Sequence, residues 1–295
     1  MTHLVTEWAS VGGDTVIIAR DAREVWFHSL SGMDRDAPGV ALPFSKPMTC
    51  KGAPGSTVGL LDGAIRLGFE QSGVRPTNRQ PNLIRYIYGL IGAYYTSKDT
   101  PRNLLRAAER FKDIGRPEVT VYLEMRAREE AGHERLVLKD LRALGLPAEQ
   151  LVANLIPVGI KPLCDLFEYF CFQDYPIDSV GYSYCLERIA ASKPKAEIDA
   201  VQTLVPEGID ITRFLRSHSS LGSEVAHVEE TIEFVSQLPA DDRTRVVQAT
   251  YQSASLMAEA WVLESAKSEG EICKELEAAA GQELNLSERQ AATAH

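Results

Sequence analysis

Two short runs place an acid and an imidazole on helical faces that are otherwise apolar, and that pairing limits how the chain can pack. Glu130-Ala131-Gly132-His133 and Glu224-Val225-Ala226-His227 each read ExxH. Three residues advance an α-helix by about 300°, so the Glu and His of each run share a face, one turn apart. Leu123, Ala127, Val137 and Leu144 flank the first run at helical spacing, and Leu221, Val228 and Phe234 accompany the second. A carboxylate among apolar side chains must find a counter-charge or take up a proton. Two facing helices with a divalent cation between their polar groups satisfy that demand. With 26 Glu and 6 His in 295 residues, about half an ExxH is expected by chance, so the apolar surroundings carry more weight than the spacing. The alternative is a pair of solvated helices with local Glu–His contacts.

The rest of the composition excludes more than it selects. A 295-residue chain with 44% hydrophobic residues can bury a sizeable core, and a single main domain is expected. A formal net charge of −10 without a dense basic run argues against nucleic acid or an anionic membrane as partner. Residues 1–10 lack a basic region followed by an apolar core, and the apolar stretch 151–172 is interrupted by Lys161, Asp165 and Glu168, so a cytoplasmic protein is expected. Five cysteines, an odd number with no CxxC, fit buried thiols better than a zinc ribbon or a disulfide framework.

Helical periodicity begins late in the chain. Residues 16–18 and 24–27 are short β-prone runs, and 31–56 is rich in Gly and Pro, so residues 1–55 read as an irregular N-terminal arm. Helices are expected over 57–71, 82–96, 101–113 with Thr100 as N-cap, 117–144 ended by Gly145, 148–170 with a kink at 157–162, 178–191, 208–237 and 240–268. A short helix over 269–280 follows, and 282–295 reads as a disordered tail. The fold class is therefore all-α, with a helical domain over 56–281.

Two further residues join the ExxH runs. Glu187 lies in a stripe of small and apolar residues that includes Val180, Ser183, Tyr184 and Ala190, and is a candidate bridging carboxylate. His218 precedes Glu224 and His227 in one expected helix, so half of the six histidines fall in two segments. His3 and His295 at the ends, and His28 beside Trp26 and Phe27, are poor ligand candidates.

This order of groups, Glu130 and His133, then Glu187 after a Gly-Tyr-rich turn, then His218 followed by Glu224 and His227, resembles the haem-oxygenase-like di-iron oxidases and oxygenases. These are relatives of the thiaminase and PQQ-synthase folds. The resemblance spans about 82–268 and implies a haem-oxygenase-like bundle of about seven helices that holds two Fe(II) ions and uses O2 as co-substrate. It implies oxidation of an amino acid, amine or fatty acid by N-oxygenation, desaturation, C–C cleavage or ring formation. The metal ligands it implies are Glu130, His133, Glu187, His218, Glu224 and His227. Tyr182, Tyr184, Arg126 and Arg188 stand near enough in sequence to line a substrate pocket, and an Arg would suit a substrate carboxylate.

The chain departs from the pattern in two places. Many members carry Glu seven residues before the first His, where this chain has Arg126. The last helix usually reads HxxxDxxH, whereas His218 and His227 are nine residues apart, or about 900° of helix, which points them in opposite directions. Both can serve only if the helix is irregular, and Ser219-Ser220-Leu221-Gly222 is the expected place for the irregularity. In a regular helix His218 would be the residue to drop. Two other readings remain open: a metal-free enzyme with Cys171 or Cys185 as nucleophile, and a non-catalytic helical binding protein. A small-molecule substrate is the expected partner, and a homodimer is compatible with all three readings.

Overall fold

The computed structural model describes residues 6–29, 51–74, 81–222 and 224–286. The remainder of the expected arm (30–50, with Cys50) and of the expected tail (287–295) lies outside the described residues, as do His3 and His295. The chain divides into two compact units. One comprises Met1–Gly73, Ile177–Leu186 and Ala226–Ser255, and the other Val74–Pro176, Glu187–Val225 and Leu256–His295.

In the first unit the arm contributes an antiparallel three-stranded sheet in the order β1(Glu7–Val11), β2(Thr15–Ala19), β3(Val25–Ser29). The β-prone runs at 16–18 and 24–27 thus lie in β2 and β3, while β1 carried no clear sequence signal. Helix α1(Pro54–Gln71) packs on this sheet through a face of glycines. A methyl group at Gly59 would come within 2.4 Å of the Asp21 carbonyl oxygen, and one at Gly63 within 3.1 Å of Ile17 and Val25. In these elements Ala9, Val11, Ile17, Leu60, Leu61 and Ala64 are buried.

A buried ion pair fastens the first strand to a distant part of the sequence. Glu7 and Arg243 are 0% and 1% exposed. The Arg243 Nη2 and Nε atoms stand 2.6 and 2.9 Å from Glu7 Oε1, the Ser56 hydroxyl donates to Glu7 Oε2, and Arg243 Nη1 donates to the Leu238 carbonyl. Every oxygen of the carboxylate is engaged, which is the condition for carrying a charge pair away from water.

The second unit is built from helices. Its main core joins α2(Leu83–Lys98), α5(Glu134–Ala143), α6(Ala148–Asn154) and α13(Glu269–Ala280), with Ile84, Ile87, Val137, Leu141, Leu151, Ile272 and Leu276 at its centre. Leu284 and Leu286 are 3% and 2% exposed in the same core. The expectation of a disordered tail from 282 is therefore corrected at its start: two leucines bury against α13 because the αL turn at Gly281 (φ 65°) sends the chain back onto the helices.

Three expected helices are broken. The stretch 117–144 is α4(Pro117–Glu130) followed by α5, with Gly132 at φ 92° between them. The stretch 148–170 is α6 followed by α7(Ile160–Cys171), with Gly159 at φ 85°, where a methyl group would sit 2.6 Å from Ala260 Cα. The stretch 208–237 is α10(Arg213–Ser217) followed by α11(Glu224–Gln237). A glycine inside an apolar helical pattern hides a break whenever it adopts a left-handed backbone or a close backbone approach, because the periodicity on either side is unaffected. The remaining helices are α3(Thr100–Asp113), α8(Asp178–Ala191), α9(Lys195–Gln202) and α12(Ala240–Ala266), of which α9 was not expected.

Candidate metal centre

The first ExxH run does not lie on one helix. Glu130 is the last residue of α4, Ala131 turns to an extended ψ of 117°, and His133 is the N-cap of α5. The acid and the imidazole meet across this turn rather than along a helical face, with Glu130 Oε2 and His133 Nδ1 3.0 Å apart. The pairing expected from helical spacing is present, but its cause is the left-handed Gly132.

His218 reaches the same place from α10. Asp140, fully buried on α5, accepts from Arg213 Nη1 at 3.0 Å and from the Phe214 backbone N–H at 2.9 Å, so it holds the first residues of α10. Burial pushes the Asp140 carboxyl above its usual range, and the bonds from Phe214 and Arg213 oppose that rise. One turn later the chain leaves the helix at His218 (φ −102°, ψ 60°). Its ring lies 4.4 Å from the Phe214 ring and 4.5 Å, edge-on at 88°, from the His133 ring.

The irregularity expected near 219–222 is a complete break. Ser219 Oγ donates to the Arg216 carbonyl, the Leu221 N–H donates to Ser219 Oγ, and Gly222 approaches so closely that a methyl group there would lie 2.1 Å from the Ser217 carbonyl oxygen. The opposed orientations of His218 and His227 on an ideal helix therefore do not apply, and His218 is not lost from the site.

Glu130, His133 and His218 each present a ligand atom, and these atoms all lie within 4.8 Å of one another. Glu130 is 7% exposed. Burial is the largest influence on its carboxyl and raises its pKa. The hydrogen bond with His133 and the fields of His218 and Arg126 outweigh it and hold the group below the usual range. A carboxylate oxygen with two imidazole nitrogens is a donor set suited to a first-row divalent metal, and with open positions it is the set used for Fe(II). The three residues fit such an ion.

Glu187 is engaged differently. Arg126, on α4 one turn before Glu130, is 1% exposed and pairs through Nη2 with Glu187 Oε1 and through Nη1 with Glu129 Oε2, the latter at 2.7 Å. Burial alone would lower the pKa of this guanidinium, yet the Glu187 and Glu129 charges keep it raised. Arg126 therefore stands as an internal counter-ion, where the sequence suggested a substrate-lining residue. Asp140 was not anticipated either, although an acid at Val137+3 in an apolar stripe was a visible signal.

Among the described residues, the other candidates are not part of this three-residue group. Glu224 opens α11, but its side chain is outside the described residues. His227 is buried in the first unit, where its carbonyl accepts from Thr231 Oγ1 at 2.8 Å. Tyr182 and Tyr184 are buried in that unit as well, and the Tyr184 hydroxyl donates to Asp62 Oδ1 at 2.7 Å. Arg188 is half-buried. Cys171 and Cys185 are 1% and 0% exposed, and burial pushes the Cys185 thiol far up.

No protein-family profile matches the sequence, and no curated protein is significantly similar to it. Solved structures are similar in fold. One is a domain of unknown function with a haem oxygenase-like fold from Shewanella denitrificans, with 20% identity, a TM-score of 0.53, and coverage of 74% of this chain and 89% of that one. Another is a TenA homolog from Pseudomonas syringae pv. tomato, with 14% identity, a TM-score of 0.51, and coverage of 72% and 93%. The chain has a haem-oxygenase-like fold, predominantly helical, with a small N-terminal sheet added to it. Among the described residues no helix is long and apolar enough to cross a membrane.

Proposed function

We propose that this chain is an O2-dependent non-haem iron oxidoreductase acting on a small molecule. The observation that carries the reading is the convergence of Glu130, His133 and His218, three donors from three different elements, within 4.8 Å. Fe(II), when bound there, supplies the activation of O2 that side chains alone cannot perform. The protein's own residues do the rest. The hydrogen bond with His133 and the field of His218 hold the Glu130 carboxyl below its usual range, which favours the carboxylate form that a cation needs. The Phe214 ring covers one face of His218 and limits water at that ligand, while Asp140 fixes the helix from which His218 hangs. The substrate classes are those the sequence resemblance implies: an amino acid, an amine or a fatty acid, oxidised by N-oxygenation, desaturation, C–C cleavage or cyclisation. A cytoplasmic setting and a homodimer accord with this reading, and neither nucleic acid nor a membrane is a partner in it.

The likeness to a TenA homolog supports a second reading, a metal-free thiaminase-like enzyme with a cysteine nucleophile. Its difficulty is chemical. Cys185 is sealed from solvent with its thiol pushed up by burial, the opposite of what an attacking thiolate requires. Anaerobic reconstitution with Fe(II), elemental analysis, then exposure to O2 in the presence of candidate substrates separates the two. Iron retained by the wild type but not by His133→Ala, with a transient visible absorption that a substrate quenches, is expected. Turnover that survives a chelator and disappears in Cys171→Ser would overturn the iron reading.

A further inference from the structure

We infer that the centre takes one divalent metal ion per chain, because a buried guanidinium fills the electrostatic place of a second. The inference rests on the metal reading of Glu130, His133 and His218 and goes beyond it by assigning Arg126 and Glu187 a different task. Arg126 is almost wholly buried and remains cationic at any accessible pH. It lies against Glu187, the carboxylate best placed by sequence to bridge two cations, and against Glu129. It stands one helical turn before Glu130 on α4. A second dication sharing Glu187 would have to displace that guanidinium or sit beside it, and in a poorly solvated pocket like charges at such range repel strongly.

The charge balance points the same way. Among the described side chains, the carboxylates of Glu129, Glu130 and Glu187 are neutralised together by Arg126 and one dication, with both histidines neutral as ligands. Arg126 is thus a resident counter-ion that engages Glu187 Oε1 whether or not metal is bound.

The test is metal counting on the full chain. Metal-free protein is titrated anaerobically with Co(II), followed by calorimetry, elemental analysis and the electron paramagnetic resonance of the bound ion. One equivalent per chain with an uncoupled Co(II) spectrum is expected, any second equivalent being weaker by at least about 100-fold. Two equivalents of similar affinity with a coupled spectrum would overturn the inference while leaving the metal reading intact, and no bound metal at all would overturn both. Glu187→Gln is expected to keep the single equivalent, since Glu187 is not among its ligands; loss of that metal in Glu187→Gln refutes the assignment. Arg126→Met frees Glu187 and is expected to admit a second Co(II), which Arg126→Met/Glu187→Gln should lose again. A folded Arg126→Met that still binds one ion only would also count against the guanidinium as the reason.

Discussion

Glu7 and Arg243 carry opposite charges into a place that solvent hardly reaches, and each is tolerable there only because of the other. Removing one partner leaves an uncompensated buried charge, which typically costs about 3–5 kcal/mol. Arg243→Met is therefore expected to lower the unfolding free energy by roughly that amount, measured by urea denaturation, whereas Glu7→Gln/Arg243→Met should recover much of the loss. An equal loss in both would show that packing rather than charge sets the cost. Asp210 is the opposite case, a partly exposed acid. Hydrogen bonding to Arg216, opposed by burial and helped by the Thr212 N–H, pulls its pKa from 3.8 down to about 2. The folded chain thus binds this proton more weakly than the unfolded chain. The resulting stabilisation is complete above about pH 4 and disappears as the pH falls through about 2. With the side chain 34% exposed, solvent screening keeps it to about 1 kcal/mol or less. Asp210→Asn should be less stable than the wild type at pH 6, with most of that gap gone at pH 2; a gap as large at pH 2 as at pH 6 would mean the bond is not electrostatic. What the sequence made legible at this scale was residue type. Glu130, His133 and His218 stood out because polar groups interrupted apolar stripes. Arg126 did not reveal its task, because a guanidinium reads the same in sequence whether it meets a substrate or a carboxylate sixty residues away.

At the scale of elements, the site depends on where helices stop. Periodicity showed that 117–144 and 208–237 are helical, and it could not show that each is interrupted, since both breaks rest on single glycines whose demands are local and steric. Gly132 turns α4 into α5 and brings His133 back to Glu130, and Gly222 seals the break after α10 against the Ser217 carbonyl. Both consequences can be tested with one methyl group. Gly132→Ala must adopt a left-handed backbone, at about 1–2 kcal/mol. Gly222→Ala must open the 2.1 Å approach to Ser217, a kind of overpacking that costs about 1–3 kcal/mol. Because each substitution moves one ligand relative to the others, each is expected to weaken Co(II) binding about 10–100-fold, as loss of a supporting residue does. Calorimetric titration of folded variants gives the answer: unchanged affinity in both would mean that the breaks do not set the ligand geometry.

At the scale of the whole molecule, the turn at Gly281 returns the residues after α13 to the core that α5 helps to form. Leu284 and Leu286 lie in the same core as Val137 and Leu141, and those two residues belong to α5, the helix that begins beside His133 and carries Asp140. The sequence of 282–286 is too short and too polar to display a period, so its two leucines could not be distinguished from those of a tail; only the reversal at Gly281 places them. Fully burying a leucine contributes about 1.5–3 kcal/mol, so Leu284→Ala/Leu286→Ala should lower stability by roughly 3–6 kcal/mol. An ion that binds only the folded centre adds about 2.7 kcal/mol at a hundredfold excess over its dissociation constant. Co(II) should therefore restore about half to nine-tenths of the deficit in the double variant and raise its midpoint of thermal unfolding. The same ion should do nothing for the double variant once His133→Ala is added. If Co(II) leaves the midpoint of Leu284→Ala/Leu286→Ala where it was, yet still binds the wild type, the C-terminal leucines and the metal centre belong to separate cooperative units, and the coupling through α5 is absent.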